Sequence, residues 1–258
     1  MAAERHCQST RRLIVNADDF GRSKSINDAV TVAHRAGILT TASLMVNEPA
    51  MDEAVALARE NPRLGVGLHL SLSEHPVTAG FRFFFKRSLR PQLRAEIRAQ
   101  LEKFRATGLT LDHVNSHHHL HMHPTVTGLL LENLREMNVT RVRLTREPLW
   151  INVRHVRGRR FRNWPHALIY WALARRARAG FRAAQIRHPQ FVFGLMQNHE
   201  VDEAYLQQLL PVLPAGDSEL YSHPSLNGFR HEFEALISPR VRELVERHGI
   251  RLIRYQDM

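Results

Sequence analysis

Cysteine is almost missing from this sequence. A single Cys7 among 258 residues excludes an internal disulfide framework and any structural zinc site built from several thiolates. A thiol that scarce fits a reducing compartment. Long apolar runs are missing too. No stretch reaches the length needed to cross a bilayer, and MAAERHCQSTRR leads into LIVNADDF, which turns acidic before a secretory signal core develops. A cytoplasmic protein is expected on both grounds. Acidic residues are absent from one region in particular. Between Ile151 and Gln190 stand ten arginines, at 154, 157, 159, 160, 162, 175, 176, 178, 182 and 187, with no Asp, Glu or Lys. They account for all but one unit of the formal charge of +11, so the remainder of the chain is nearly neutral.

What is present reads as alternating strands and helices. RLIV at 12–15 is a short apolar run bounded by the polar NADDFG, and TTASLMV at 40–46 and LGVGLHLSL at 64–72 are further strands. Ser23 or Ser25 can cap a helix that runs through His34 and stops at Gly37. Pro49 introduces a second helix over MDEAVALARE. Leu93, Ile97, Leu101 and Phe104 recur at helical spacing before Gly108. LDHVN and TRVRL read as strands flanking the helix TVTGLLLENLREMN. EAYLQQLLPVL and PRVRELVERHG read as helices, DSELYSH and IRLIRY as strands. Such alternation predicts parallel strands joined by helical crossovers. The expected fold is a (β/α) barrel, distorted or incomplete, forming one domain over 1–258, with an open doubly wound sheet as the alternative. The arginine-rich stretch at about 151–190 reads as a helical insertion, and TAGFRFFFKRS at 78–88 as a lid or packing loop.

Histidine is abundant in one place. LDHVNSHHHLHMHP puts His117, His118, His119, His121 and His123 within seven positions after a strand. Imidazole is the commonest nitrogen ligand for protein-bound metals and handles protons near neutral pH. The cluster is internal and interleaved with Leu120 and Met122, unlike a terminal tag. Other polar residues stand at the C-terminal ends of predicted strands: Asp18 and Asp19 after the first, His69 on the third, His223 after DSELYS. In (β/α) barrels that is the face where active sites are built. One carboxylate and two imidazoles form a common ligand set for a divalent metal in hydrolysis, and Asp19, His69 and His117 can supply it. The bland alternatives are a core histidine for His69 and a solvated turn for the two aspartates. Yet two half-buried charges side by side are costly unless a cation neutralises one.

NADDFG at 16–21, VGLHL at 66–70, DHVNSHHHLHMHP at 112–124 and ELYSHP at 219–224 resemble, in order and spacing, the YdjC-like carbohydrate deacetylases. The resemblance runs from about Arg12 to Asp257. LTTASLMVNEPAMDEAVALA, EIRAQLEKFRATGLTLDHVN and TREPL look most like its branch associated with hopanoid biosynthesis, HpnK. The resemblance implies a barrel related to polysaccharide deacetylases and metal-dependent removal of acetyl from an N-acetylated sugar, in that branch an N-acetylglucosaminyl hopanoid. It makes Asp19, His69 and His117 the metal ligands, Asp18 the base and His223 the acid. Two departures stand out: part of a loop between His75 and Phe81 is missing, and Ser116 replaces the Gly common in the hopanoid branch. Ligand type favours zinc over magnesium without deciding it. Arg143, in RVRLTREP, is a candidate to orient Asp18, and its bland reading is a surface arginine. His121, four residues from His117, is a supporting residue or substitute ligand.

Two other functions fit parts of the sequence. His117-x-His119 also suits an amidohydrolase or phosphoesterase barrel, which would call for further carboxylates or a lysine. Clustered arginine with aromatics fits a nucleic-acid-binding protein, though no recognition-module pattern accompanies it. In the basic stretch, Trp164, Leu168 and Trp171 share a helical face. A capping helix on the barrel and a helix lying in the interface of the inner membrane surface are both compatible with that pattern.

Overall fold

The computed structural model describes residues 10–72, 82–83, 85–155 and 164–258, with the side chain of Trp164 left aside. Cys7, the His75–Phe81 departure, part of the expected lid loop and Arg157, Arg159, Arg160 and Arg162 lie outside the described residues. The chain begins with strand β1 (Arg11–Phe20), longer than the apolar run alone predicts. Its odd-numbered Leu13, Val15 and Ala17 join the main apolar core, while Ile14 packs on Ile253 and Tyr255. Asn16 and Asp18 continue that second face, so the acidic pair stands on the last turn of the strand rather than beyond it.

Helix α1 (Lys24–Ala36) starts at Ser23, whose hydroxyl accepts from the Ile26 amide, and buries Ala29, Val30 and Ala33. Strand β2 (Thr41–Leu44), helix α2 (Met51–Glu60) and strand β3 (Gly65–Leu70) follow. Helix α3 (Arg90–Ala106) buries Leu93, Ile97, Leu101 and Phe104, the stripe read from the sequence. After β4 (Leu111–Ser116) a tight turn covers His117–Met122, and α4 (Pro124–Glu136) leaves it with proline in its first turn. Helices α5 (Leu149–His155) and α6 (Trp164–Ala183) precede β5 (Phe191–Phe193). Then come α7 (Glu203–Leu209), β6 (Gly216–Ser222), α8 (Arg230–Ile237), α9 (Pro239–Arg247) and β7 (Arg251–Leu252). Short β5, α5 and α8 carry too few periodic residues to stand out in the sequence.

All strand pairs are parallel, in the order β4-β3-β2-β1-β6-β5, with β7 on the lower part of β1 where β2 has not yet begun. The two outer strands do not end as free edges. Residues 140–146 bond to both: Arg143 N donates to Val114 O on one side, and Val142 N and Val192 N engage Arg187 O and Arg146 O on the other. Strands β1 to β6 therefore follow their chain order around a ring, which is a distorted (β/α) barrel and not a doubly wound sheet. The expected TRVRL strand is this closing segment, held by isolated bridges instead of a regular ladder. Of IRLIRY, two residues pair. Beyond them Tyr255 enters the barrel from below and stacks on His113 at 4.1 Å.

Gly37 shows how closely the outer layer is packed. A Cβ at this position would lie 2.2 Å from the carbonyl oxygen of Leu236, the same oxygen that accepts from Ile38 N. Neither backbone can yield cheaply. Gly37→Ala is expected to lower unfolding stability by about 1–3 kcal/mol, the usual cost of overpacking, read as a lower urea midpoint at constant m-value.

Candidate metal and catalytic centre

Three side chains from three strand ends meet at one point. Asp19 Oδ1 lies 3.3 Å from His69 Nε2 and 3.3 Å from His117 Nδ1. Asp19 ends its approach with φ +64°, a left-handed conformation that Asp tolerates better than most residues and that turns its carboxylate across the barrel mouth. His69 stands near the end of β3, with its ring fixed from behind. Asn115 Oδ1 accepts from His69 Nδ1 at 2.7 Å, because the Asn115 amide nitrogen is committed to Asp18 Oδ1 and Ser43 Oγ. That bond leaves the Nε2 lone pair aimed at Asp19. Both Asp19 Oδ1 and His69 Nε2 are buried with no hydrogen-bond partner.

An acceptor facing an acceptor in a buried site is unfavourable unless something positive lies between them. Burial pushes the His69 imidazole down, but Asp18 and Asp19 more than offset this and its pKa lies above the ordinary value. Burial likewise opposes charge on Asp19, and His117 and His69 hold its carboxyl well below the usual range. The donor set and the two orphaned atoms fit a divalent cation. Among the described residues no further carboxylate or thiol joins the three.

Asp18 has a different environment. Its Oδ1 accepts from Asn16 Nδ2, Asn115 Nδ2 and an Arg143 amino group at 2.8, 3.0 and 3.0 Å, and its Oδ2 accepts from the other Arg143 amino group at 2.8 Å. Burial raises this carboxyl, yet the Arg143 guanidinium prevails and holds it well below the carboxylate range. Arg143 is fully buried, so the surface reading fails. It projects inward from the closing segment, also donates to Glu219 Oε1 at 2.7 Å, and lies 4.7 Å over the Tyr221 ring. Glu219 in turn accepts from the Tyr255 hydroxyl.

His223 follows β6 directly, and its amide donates to the buried Glu232, which also accepts from Val201 N. Burial lowers the His223 pKa to about 4 against the opposing pull of Asp18 and Asp19, so it is neutral at pH 7. His199 was not legible in the sequence. Its ring stacks on Phe229 at 4.5 Å and against His223 at 4.3 Å, forming a wall beside the centre. Glu219 carried a usable signal, since it alternates with Tyr221 on a strand whose next residues include His223.

The other histidines are separated by the turn itself. His118 and His119 adopt left-handed φ of 53° and 54°, which breaks any helical or extended periodicity; the His118 ring stays against His117 at 4.0 Å, while His119 turns away. His121 bonds Ser116 Oγ through Nδ1 and the Arg143 carbonyl through Nε2, at 2.8 and 3.0 Å. With both nitrogens engaged it does not reach the cluster, and the substitute-ligand reading is corrected: it fastens the closing segment to β4. His119 meets the Tyr221 hydroxyl, and His123 accepts from Thr125 N at the start of α4.

Residues 12–247 match the family described as YdjC-like protein. The chain belongs to this family. A carbohydrate deacetylase from Brevibacillus brevis is 42% identical over 142 residues, 50% of this chain and 57% of that protein. One from Vibrio cholerae serotype O1 is 36% identical over 143 residues, again 57% of its length. The chain thus spans little more than half the length of these curated relatives. Among solved structures, one from Enterococcus faecalis V583 named for cellobiose-phosphate cleavage aligns over 96% of this chain and 99% of its own, with TM-score 0.70 and 23% identity. A lactam utilization protein from Thermus thermophilus aligns over 93% of this chain and 98% of its own, with TM-score 0.55 and 15% identity. These two likenesses concern the fold of the YdjC-like chain.

Arg143→Met would leave Asp18 buried without its counter-charge. The expected cost is about 3–5 kcal/mol at neutral pH. In the native chain the depressed Asp18 pKa contributes stability that is present above its unfolded value and lost as pH falls below it. In the variant that contribution disappears, and protonation relieves the unpaired charge. The difference between the two proteins in urea denaturation should therefore shrink on acidification; a constant difference would contradict the pairing.

Proposed function

We propose that this chain is a metal-dependent deacetylase that hydrolyses the N-acetyl group of an N-acetylated sugar. The observation that carries the reading is the convergence of His117 with Asp19 Oδ1 and His69 Nε2, two buried atoms lacking partners. The names of the relatives supply the carbohydrate class. Within that class we favour an N-acetylglucosaminyl hopanoid glycolipid, supported by the resemblance of residues 39–58, 96–115 and 145–149 to the hopanoid branch.

Asp19, His69 and His117 would hold the divalent cation, zinc by preference for two imidazoles. When bound, such a cation supplies Lewis acidity toward an amide carbonyl oxygen. Asp18 is the proton acceptor for the attacking water. Its Oδ1 is saturated by three donors, whereas Oδ2 accepts from Arg143 alone and keeps a lone pair available. The two bonds from Arg143 fix the plane of that carboxylate, so Arg143 positions the base without touching substrate. His223 is the proton donor to the departing amine, which would otherwise leave poorly. Being neutral at pH 7, it has to be protonated during the cycle; the proton that Asp18 takes from the water balances the one His223 delivers to the amine, and the new carboxyl group ionises.

Separate Asp18→Asn and Asp19→Asn variants test these roles. Asp19→Asn is expected to weaken zinc binding at least about a hundredfold by titration calorimetry. Asp18→Asn should retain zinc while amine release from an N-acetylglucosamine oligomer drops about 10²- to 10⁴-fold. Loss of metal from Asp18→Asn with retention in Asp19→Asn would invert the assignment, and full activity after chelation would end it.

A further inference from the structure

Helix α6 packs inward by several small residues and Phe181, and leaves other large side chains exposed. Ala167, Ala174, Ala177 and Phe181 are buried on one helical stripe. Gly180 approaches α4 so closely that an added Cβ would lie 3.1 Å from Leu131. Leu168 and Ile169 stand away from that stripe and Trp171 on its flank, exposed by 43%, 55% and 43%. A helix that merely capped the barrel would turn Leu168 and Trp171 inward; here they point to solvent. Helix α5 adds Trp150 and Val153, exposed by 51% and 57%. Leu149 of α5 and Ala167 and Tyr170 of α6 pack on one cluster of Val192, Leu195, Met196 and Tyr221, which sets the beginnings of the two helices side by side.

The charge beside this apolar surface is of one sign. Arg175, Arg176, Arg178 and Arg182 are exposed along the same helix, and among the described residues no ion pair engages any of them. The Arg175 guanidinium lies 5.0 Å over the Trp171 ring. Arg146 faces Arg178, and burial together with that neighbour lowers its pKa, as expected where no carboxylate intervenes. Among the described residues no helix is long and apolar enough to cross a membrane, so the apolar side chains have no use as a span.

We propose that α6 docks this chain on an anionic lipid bilayer, with Leu168, Ile169 and Trp171 entering the headgroup boundary and the arginines meeting lipid phosphates. Branched aliphatic side chains distinguish this surface from a nucleic-acid groove, where aromatic faces stack on bases. Interfacial helices combine such an apolar face with arginine, and each basic residue near an anionic surface adds to the binding. The same helix reaches the candidate centre. Tyr170 donates a hydrogen bond to the His118 carbonyl at 3.0 Å, one residue from His117. Docking would therefore bring the barrel mouth near the lipid surface; this part rests on the deacetylase reading and makes a lipid-borne sugar the substrate class.

The test is co-sedimentation of the full chain with phosphatidylcholine vesicles, with and without phosphatidylglycerol, at low and high salt. The chain should sediment only with phosphatidylglycerol present and be released by salt. Ile169→Ser/Trp171→Ser and Arg175→Gln/Arg176→Gln should each weaken binding about tenfold or more, with unchanged circular dichroism and unchanged hydrolysis of a soluble N-acetylated sugar. No sedimentation, indifference to lipid charge, or full binding by both variants would overturn the proposal. So would tighter binding to an RNA oligonucleotide that the same variants abolish. If vesicle binding holds while no acetylated sugar is hydrolysed, the docking stands and the deacetylase reading falls.

Discussion

A guanidinium with no access to water governs the interior of this barrel. Arg143 lies between Asp18 and Glu219, and removing it would leave carboxyl groups buried beside a third, Asp19. Such an arrangement survives because the geometry supplies several hydrogen bonds to each partner; desolvation alone would forbid it. The same residue stands on the segment that closes the ring between β4 and β5. Closure of the fold and neutralisation of Asp18 are therefore one event. His121 reinforces the coupling by bonding the Arg143 carbonyl from the histidine turn.

The two aspartates, adjacent in sequence, are separated in chemistry by the strand's alternation and one left-handed residue. Asp18 points into the barrel toward fixed donors. Asp19, at φ +64°, points across the mouth toward the imidazoles of His69 and His117. One carboxylate is satisfied by the protein itself, while the other, paired with Arg22 through Oδ2, keeps an Oδ1 that no donor serves. Asn115 joins these environments, since its amide serves Asp18 and its carbonyl fixes the tautomer of His69.

Packing on the outside follows a different logic. Small residues let α6 approach α4, while Leu168, Ile169 and Trp171 of the helix remain exposed. The exposed aromatic and aliphatic surface with its arginines is attached to the mouth of the barrel through Tyr170.

Strand and helix alternation, the stripe on α3, the cap at Ser23 and the positions of Asp18, Asp19, His69, His117 and His223 were legible in the chain, because they depend on local periodicity and on motifs that sit at strand ends. YdjC-like membership was legible for the same reason. Local pattern did not reveal which histidines converge. Two successive left-handed residues leave His117 at Asp19 and turn His119 and His121 to other partners, and a backbone reversal of that kind is set by what surrounds it. Nor did it reveal the burial of Arg143, the stacking of His199 or the outward face of α6. Each depends on contacts between residues far apart in sequence, where desolvation and close packing, not propensity, decide which side chain is enclosed.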